Sequence, residues 1–375
     1  MENKKKILLI NTSFYPRIGG VENSLVHLIN EYKKNGDEVT VVCGDIVDDT
    51  GHRYPKHDRM FGAEIVRFKM WPFKLYWLTC FFLFLRLKIK NSFDAVISRS
   101  HVTTILGALT GFKVIYLVPG IASLHEKAGN SSSSNLRVLY SDFLQKLAFS
   151  LCHRVCVFSE SMFHQVKRLS PNCSPIKVNA GCDSDRFQPR SRDEELAREL
   201  EVSASDRVLL CVGRLNRMKS FEKAISVMPE LPNDFKLLIV GSGSEERYLL
   251  NHAISLGVSD RVKFVGSSKT PERFYSLADF FLFTSIYEPF GQVLLEAAFS
   301  GVKVVALDDF YEGENVKTAT NEIFESTPNL VRYASTKSEL ISCILEGWHA
   351  PASEFDILRS QFSWGRLSSS LLKLQ

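Results

Sequence analysis

Short apolar runs alternate with helical stretches along the whole chain, and the alternation starts twice. In the first half KILLIN (6–11), EVTVVCG (38–44), EIVRF (64–68), FDAVIS (93–98), KVIYLV (113–118) and RVCVFS (154–159) have the length and near-continuous apolar character of strands buried on both faces. After the first of them, Val21, Leu25, Leu28, Ile29 and Tyr32 recur at helical spacing, and Gly36 stops that helix. HVTTILGAL (101–109) reads as a helix of small residues. In the second half RVLLCVG (207–213), FKLLIVG (235–241), VKFVG (262–266), FFLFTS (280–285) and KVVAL (303–307) repeat the pattern, each followed by a helical stretch. Strands separated by helices pair in parallel, because a parallel pair needs a long crossover. From about Ser170 to Asp206 the pattern breaks: Pro171, Pro175, Gly181, Pro189 and the charged SRDEELAREL read as a connection. A chain of 375 residues suits two domains. The expected class is α/β, with two doubly wound parallel-sheet domains facing across a cleft and ligands outside the carboxyl ends of the strands.

The formal net charge of +4 hides an asymmetry. Residues 1–190 hold 26 Lys and Arg against 16 Asp and Glu, a net of +10, while residues 191–375 hold 20 against 26, a net of −6. The first half is drawn to something anionic. Nucleic acid is excluded, because the surplus is diffuse and no basic run exceeds Lys4–Lys6. MENKKKILLIN has four apolar residues before Asn11, short of a signal peptide, so a cytoplasmic location is expected. Eight cysteines are scattered, and Cys152 and Cys156, spaced by one helical turn, lack a second pair at zinc-ligand spacing. SSSS at 131–134 reads as a loop tip.

One segment stands apart: KMWPFKLYWLTCFFLFLRLKIK, residues 69–90. Its apolar core, Leu75 to Leu85, is 11 residues, against about 20 for a membrane span. Trp71, Trp77, Phe81, Phe82 and Phe84 are flanked by Lys69, Lys74, Arg86, Lys88 and Lys90. Two readings stay open: a buried helix between two strands, or a helix dipping into the headgroups of an anionic membrane.

Four segments carry chemistry. VGRLNRMKS puts Arg214 and Lys219 just past a strand, where two cations suit a diphosphate. VGSGSEE holds a Gly-X-Gly turn, Gly241 and Gly243, which fits a phosphate loop or simply a tight strand-to-helix turn. FFLFTSIYEPFGQVLLEAAFSGVKVVAL ends a strand at Ser285, places Glu288 in a loop and leads through Pro289-Phe290-Gly291 into a helix bearing Glu296. Free amides at that helix start suit a phosphate. Eight helical residues rise about 12 Å, a span that lets one carboxylate hold sugar hydroxyls and the other a ribose diol. The fourth is FYPRIGGVENSLVHLI, with Gly19 and Gly20 followed by Val21-Glu22.

Together, EPFGQVLLEAAFSG with its E-x7-E spacing, GRL-x3-K and the paired-glycine loop resemble the retaining glycosyltransferases of the GT-B fold, the family 4-like, group 1 enzymes. The resemblance spans nearly the whole chain. It implies a Rossmann-like acceptor domain over 1–190, a donor domain over 205–359, and a C-terminal helix (360–375, within FSWGRLSSSLLKL and beyond) that crosses back to the first domain. It further implies that Arg214 and Lys219 neutralise the donor diphosphate, that Glu288 contacts the transferred sugar, and that Glu296 holds the ribose. The Phe290-Gly291 amides would bind phosphate, and the Gly19-Gly20 loop would close over the donor. The family typically needs no divalent metal, and Asp183-Ser184-Asp185 lies in the linker rather than at a strand end. The implied activity moves a sugar from a nucleotide-diphosphate sugar, UDP favoured over GDP, to a glycan or lipid-linked glycan in bacterial surface polysaccharide or glycoconjugate synthesis. The co-substrate is the only cofactor-like group, and the basic half suggests peripheral binding at the inner face of an anionic membrane.

One departure matters. Many relatives carry His-Gly after the strand matching KVIYLV, whereas here Pro119-Gly120 follows it. Three readings stay open. The departing phosphate acts as the base; His101 or His125 substitutes; or the chain is a nucleotide-sugar-binding partner without activity of its own. A GT-B epimerase is a further alternative, although no extra carboxylate-histidine cluster in the first domain favours it.

Overall fold

The computed structural model describes residues 4–17, 19–46, 52–71, 75–121 and 135–375. Lys74, His125 and Ser131–Ser134, singled out above, lie outside the described residues. The chain divides into two compact units: Met1–Gly181 with Trp364–Gln375, and Cys182–Ser363.

The first unit is built on β1 (Lys6–Ile10), β2 (Glu38–Gly44), β3 (His57–Met60), β4 (Ala63–Phe68), β5 (Ala95–Ser98), β6 (Val114–Leu117), β7 (Arg154–Val157) and β8 (Ile176–Lys177). They form one sheet in the order β3-β4-β2-β1-β5-β6-β7-β8. Every pairing is parallel except that of β3 with β4. Helix α1 (Gly20–Lys34) follows β1, α2 (Tyr76–Lys90) follows β4, α3 (His101–Leu109) follows β5, and α4 (Asn135–Leu151) precedes β7. Side chains of a strand alternate between faces. Ile7 and Leu9 therefore pack with Leu25, Leu28 and Leu367 on one side, while Leu8 and Ile10 pack with Phe84 and Val102 on the other. This two-sided burial is why β1 reads as an unbroken apolar run.

The second unit contains β9 (Arg207–Val212), β10 (Phe235–Val240), β11 (Val262–Gly266), β12 (Phe280–Phe283), β13 (Tyr287–Glu288), β14 (Lys303–Leu307), β15 (Phe310–Tyr311), β16 (Glu314–Asn315), β17 (Lys317–Thr318) and β18 (Val331–Ala334), with helix α5 (Gln292–Phe299) after β13. Its main sheet is parallel, in the order β11-β10-β9-β12-β14-β18. The last helix, α6 (Trp364–Leu372), belongs to the first unit.

The units divide at 181/182, so most of the expected linker is part of the second unit. Its charged residues are tied down there: Arg186 Nε to Glu272 at 2.7 Å, and Arg273 Nε to Asp193 at 2.6 Å. The Arg273 bond, helped by the Leu196 amide, holds the Asp193 carboxyl down at about 2. Within the expected C-terminal helix of 360–375, Trp364–Leu372 is helical, while residues 360 and 361 end the helix before it. Helix Ala352–Gln361 stops, the Cys182 amide donates to the Phe362 carbonyl at 2.9 Å, and α6 then begins at Trp364. Trp364 stacks on His27 at 4.8 Å and presses on Gly181, where a Cβ would stand 2.3 Å from the indole. Buried Tyr32 donates to the Ser368 carbonyl at 3.3 Å, fastening α6 to α1.

Helix α2 fits neither sequence expectation in full. It buries Cys80 and Phe84, but leaves Leu78 57%, Phe82 63% and Ile89 77% exposed. No helix among the described residues is long and apolar enough to cross a membrane. All eight cysteines are free, and Cys152 follows α4 while Cys156 lies in β7, so the two do not share a helical face.

Candidate functional site

In the second unit the motif residues follow β10, β9 and β12, which are neighbours in the sheet. After β9, Asn216 caps the turn Arg217–Lys219, its Oδ1 accepting from the Lys219 amide at 3.3 Å. The loop after β12 is stitched to that turn: Thr284 Oγ1 donates to the Lys219 carbonyl at 2.9 Å, and the Ile286 amide to the Met218 carbonyl at 2.9 Å. β13 is held from its other side by parallel pairing with β17. This frame brings Lys219 Nζ and Glu288 Oε2 into a direct ion pair, with the side chains only 15% and 21% exposed. The family resemblance assigns these two groups to different parts of a donor; in the structure they pair with each other.

Glu288 is not helical, so the 12 Å helical rise does not describe its separation from Glu296. The chain turns instead at Gly291, which caps α5 with φ of 89°, a left-handed conformation that favours glycine. Gly291, as the cap residue, brings no side chain to the α5 N-terminus. Pro289 and Phe290 are buried, and the Phe290 ring packs on Phe362 at 6.1 Å, so their side chains belong to the core. Glu296 is half-buried and accepts from the Tyr275 hydroxyl at 3.2 Å. Burial raises its carboxyl to about 7, against the opposing influence of Tyr275, Arg186 and Lys219. Lys219 thus acts electrostatically on both carboxylates. Arg214 is exposed and makes no ion pair among the described residues.

Gly241 and Gly243 have a packing explanation. A Cβ at Gly241 would stand 1.8 Å from the Gly213 carbonyl oxygen, and one at Gly243 would stand 2.2 Å from that of Leu215. Backbone bonds join the same loops, Gly213 N to Val240 O at 2.9 Å and Leu215 N to Ser242 O at 3.0 Å. These glycines let the loop carrying Arg214 lie against its neighbour.

In the first unit the candidates follow β1, β5 and β6, also neighbours in the sheet. Gly19 caps α1, and a Cβ there would meet Glu22 Oε2 at 2.6 Å; around Gly20 there is open space. Glu22, only 7% exposed, accepts from Ser13 Oγ at 2.5 Å. His101 opens α3 and is half-buried. Gly120 is buried and its carbonyl accepts from Gln145 at 2.9 Å, with Pro119 half-buried beside it.

Sequence reasoning passes over Arg99. It stands directly after β5, 6% exposed, with Nη1 donating to the Leu117 carbonyl at 3.1 Å and its guanidinium 5.3 Å from the Phe158 ring. Its Nε has no hydrogen-bond partner among the described residues. Burial draws the guanidinium down to about 10, with Tyr116 and Glu22 opposing. The available signal was a charge placed immediately after an apolar strand. Tyr275 was also missed, since nothing local links it to a residue 21 positions away. Among the described residues no group of three or more His, Cys, Asp or Glu is placed to hold a metal ion.

Two family models match the chain: Glycosyltransferase Family 4 over residues 18–179, and Glycosyl transferases group 1 over residues 192–339. The chain belongs to these glycosyltransferases. The family 4 match holds Gly19, Gly20, His101, Pro119 and Gly120, and the group 1 match holds Arg214, Lys219, Glu288 and Glu296. Among curated relatives, an uncharacterized glycosyltransferase of Methanocaldococcus jannaschii is 27% identical over 320 residues, 80% of each chain. The GDP-mannose-dependent alpha-mannosyltransferase of Corynebacterium glutamicum is 26% identical over 328 residues, 80% of this chain and 71% of that one. Among solved structures, Anabaena HepE in complex with UDP-glucose superposes with a TM-score of 0.75 at 19% identity, over 98% of both chains. At that identity the likeness shows the fold, and the fold of this glycosyltransferase is GT-B.

Proposed function

We propose that this glycosyltransferase moves a sugar, with retention, from a nucleotide-diphosphate sugar to a glycan or lipid-linked glycan acceptor. The observation that carries the reading is the cluster of Lys219, Glu288 and Glu296 beside exposed Arg214 at adjacent strand ends. Lys219 and Arg214 take the donor diphosphate, so that positive charge already stands where the leaving group becomes more negative. Glu288 contacts the transferred sugar, and its pairing with Lys219 fixes one against the other. Glu296 accepts from the ribose hydroxyls, and the first amides of α5, with those of Phe290 and Gly291, meet phosphate.

In the reaction the bond between the anomeric carbon and the diphosphate oxygen breaks, and a bond from the acceptor oxygen forms on the same face. The acceptor proton passes to the departing phosphate, which needs no protein base and so accommodates Pro119. The cations of this chain supply the charge that a divalent metal would otherwise supply. Relatives point to the donor class: UDP-glucose is bound in the Anabaena structure, and the Corynebacterium enzyme is named for GDP-mannose. We favour UDP. The basic surplus of residues 1–190 and the exposed apolar residues of α2 support peripheral binding to an anionic membrane on the cytoplasmic side.

A thermal-shift panel with UDP, GDP and ADP, free and sugar-linked, tests the donor. One nucleotide sugar should raise the melting temperature of the full chain in proportion to its affinity. A flat response across the panel sinks the reading.

A further inference from the structure

At the outer edge of the first unit's sheet, the ends of β2 and β4 and one face of α2 enclose a pocket of about 560 Å³. Four cationic side chains line it: Lys56, Arg67, Lys69 and Arg86. Among the described residues its one acid, Asp45, is already engaged, accepting from Arg53 Nη1 at 2.6 Å and from the Met70 amide at 2.7 Å. Arg67 is built into the wall, only 2% exposed. Its Nη1 donates to the Pro55 carbonyl at 3.1 Å and to Asp58 at 3.2 Å, and its Nε has no hydrogen-bond partner among the described residues. The apolar lining comes from α2, which also supplies Arg86: Leu78 and Phe82 line the pocket and are yet 57% and 63% exposed.

A pocket lined by both cationic and exposed apolar side chains suits an amphiphile with an anionic head. Exposed apolar residues also lie outside the pocket: Leu75 (53%) just before α2, Leu85 (38%) and Ile89 (77%) along it, and Leu136 (78%), Leu139 (64%) and Phe143 (61%) along α4 of the same unit. Single exposed apolar residues are ordinary, but such a concentration on two helices of one unit marks an interaction surface. Lys88 and Lys90 at the end of α2 add the positive rim that an interfacial helix shows toward anionic lipid.

We propose that this pocket is a headgroup site for phosphate-bearing lipid, with the phosphate among Lys56, Lys69 and Arg86 and the acyl region against Leu78 and Phe82. The proposal rests on the membrane part of the function proposed above and sharpens it. A diffuse basic surface attracts a membrane; a built pocket selects one lipid phosphate and fixes how the first unit lies on the bilayer. Arg67, sheltered and paired to Asp58, shapes the site and contributes positive potential.

Co-sedimentation of the full chain with vesicles of phosphatidylcholine, alone or with about a third phosphatidylglycerol, tests it at moderate salt. Wild-type protein should bind the anionic vesicles at least tenfold better. Lys69→Ala with Arg86→Ala should weaken that binding by roughly tenfold or more, and Leu78→Ser with Phe82→Ser should weaken it too. Lys88→Ala with Lys90→Ala, outside the pocket, should cost clearly less. An equal loss in that control pair would show diffuse attraction only and overturn the pocket while leaving membrane binding intact. No vesicle binding by wild-type protein would overturn both.

A second measurement separates lipid from free phosphate. Dihexanoyl phosphatidylglycerol, below its micelle concentration, should raise the melting temperature of wild-type protein but not of Arg86→Ala, and inorganic phosphate should not reproduce the shift. An equal shift with phosphate alone would overturn the lipid assignment. Self-association through α2 and α4, seen by light scattering in place of vesicle binding, would overturn it as well. Nucleotide-sugar shifts unchanged in these variants would confirm that they fold and that donor binding is a separate matter.

Discussion

Both units place their candidate residues in loops after three adjacent parallel strands, β10-β9-β12 in one and β1-β5-β6 in the other. The second unit gathers its residues tightly. Two loops are joined by backbone and hydroxyl bonds, Lys219 and Glu288 pair, and Glu296 stands within the field of the same ammonium. In the first unit the charge is set deeper. Arg99 and Glu22 are buried behind the strand ends, while Gly20 faces open space. Under the proposed function the second unit meets a diphosphate, a group shared by all nucleotide-sugar donors, which suits fixed cations and carboxylates in a compact motif. The comparison can be broken at four points.

The largest effect belongs to Glu288→Ala. It removes the carboxylate proposed to contact the sugar and releases Lys219 from a sheltered pair. Turnover should fall by roughly 10²–10³, while donor affinity changes by less than tenfold. Steady-state kinetics with the donor identified by thermal shift reads both. Undiminished kcat would remove Glu288 from the reaction and leave its pairing with Lys219 as architecture.

Gly241→Ala comes next, and it acts on stability. The added Cβ would stand 1.8 Å from the Gly213 carbonyl, at a φ of 150°. Neither backbone strand can yield without losing the bond from Gly213 N to Val240 O. The cost should reach about 3 kcal/mol, a loss of about 6–12 °C in melting temperature. A variant that melts with wild type but binds donor poorly would return Gly241 to the phosphate loop that its sequence suggests.

That glycine shows how far the sequence was legible. The strands of the two sheets could be read because burial on both faces makes them continuously apolar, and most observed bounds lie within two residues of the sequence runs. β3 (HDRM) could not: it is a half-exposed antiparallel edge strand without apolar character. β8 is too short, at two residues, to carry a pattern, and in β18 the exposed Arg332 interrupts the apolar run. Within the site, Glu288 and Glu296 were visible because one short motif holds both. Their link through Lys219 was not, since it depends on stitching between loops 69 residues apart. Gly241 and Gly243 were visible as a motif, but whether a Gly-X-Gly turn serves a ligand or a neighbouring carbonyl is decided only in three dimensions. The exposed half of α2 was hidden for a similar reason, because an apolar residue looks the same in sequence whether it faces a core or solvent.

Glu296 supplies a pH test of the donor side. Its carboxyl, raised by burial from 4.5 to about 7, is largely ionised at pH 8 and largely protonated at pH 6. If ribose hydroxyls bond to the ionised form, affinity for a nucleotide sugar should fall about tenfold from pH 8 to pH 6. Glu296→Gln should bind more weakly at pH 8 and lose that slope. Stability runs in the other direction. A carboxyl raised in the fold binds more protons folded than unfolded between pH 4.5 and 7, so its contribution is lost as pH rises through that window. Glu296→Gln should therefore melt higher than wild type at pH 8 and show no such gain at pH 5. Calorimetric titration and melting curves at the two pH values check both signs.

The smallest effect discriminates most finely, because it separates packing from function at adjacent positions. Gly20 is the first residue of α1 with no atom near its missing Cβ, whereas a Cβ on Gly19 would meet the Glu22 carboxylate at 2.6 Å. Alanine at Gly20 meets no clash and lowers the entropy of the unfolded chain, so Gly20→Ala should leave the melting temperature unchanged or raise it, by about 0.4–1 kcal/mol at most. If the paired-glycine loop approaches the donor, the same methyl should raise KM for the nucleotide sugar several-fold in a protein no less stable. Gly19→Ala should instead disturb the bond from Ser13 to Glu22 and lower stability along with activity. Normal kinetics in Gly20→Ala would mean that the first unit's glycine loop is only a way of starting α1, and that donor recognition lies entirely with the second unit.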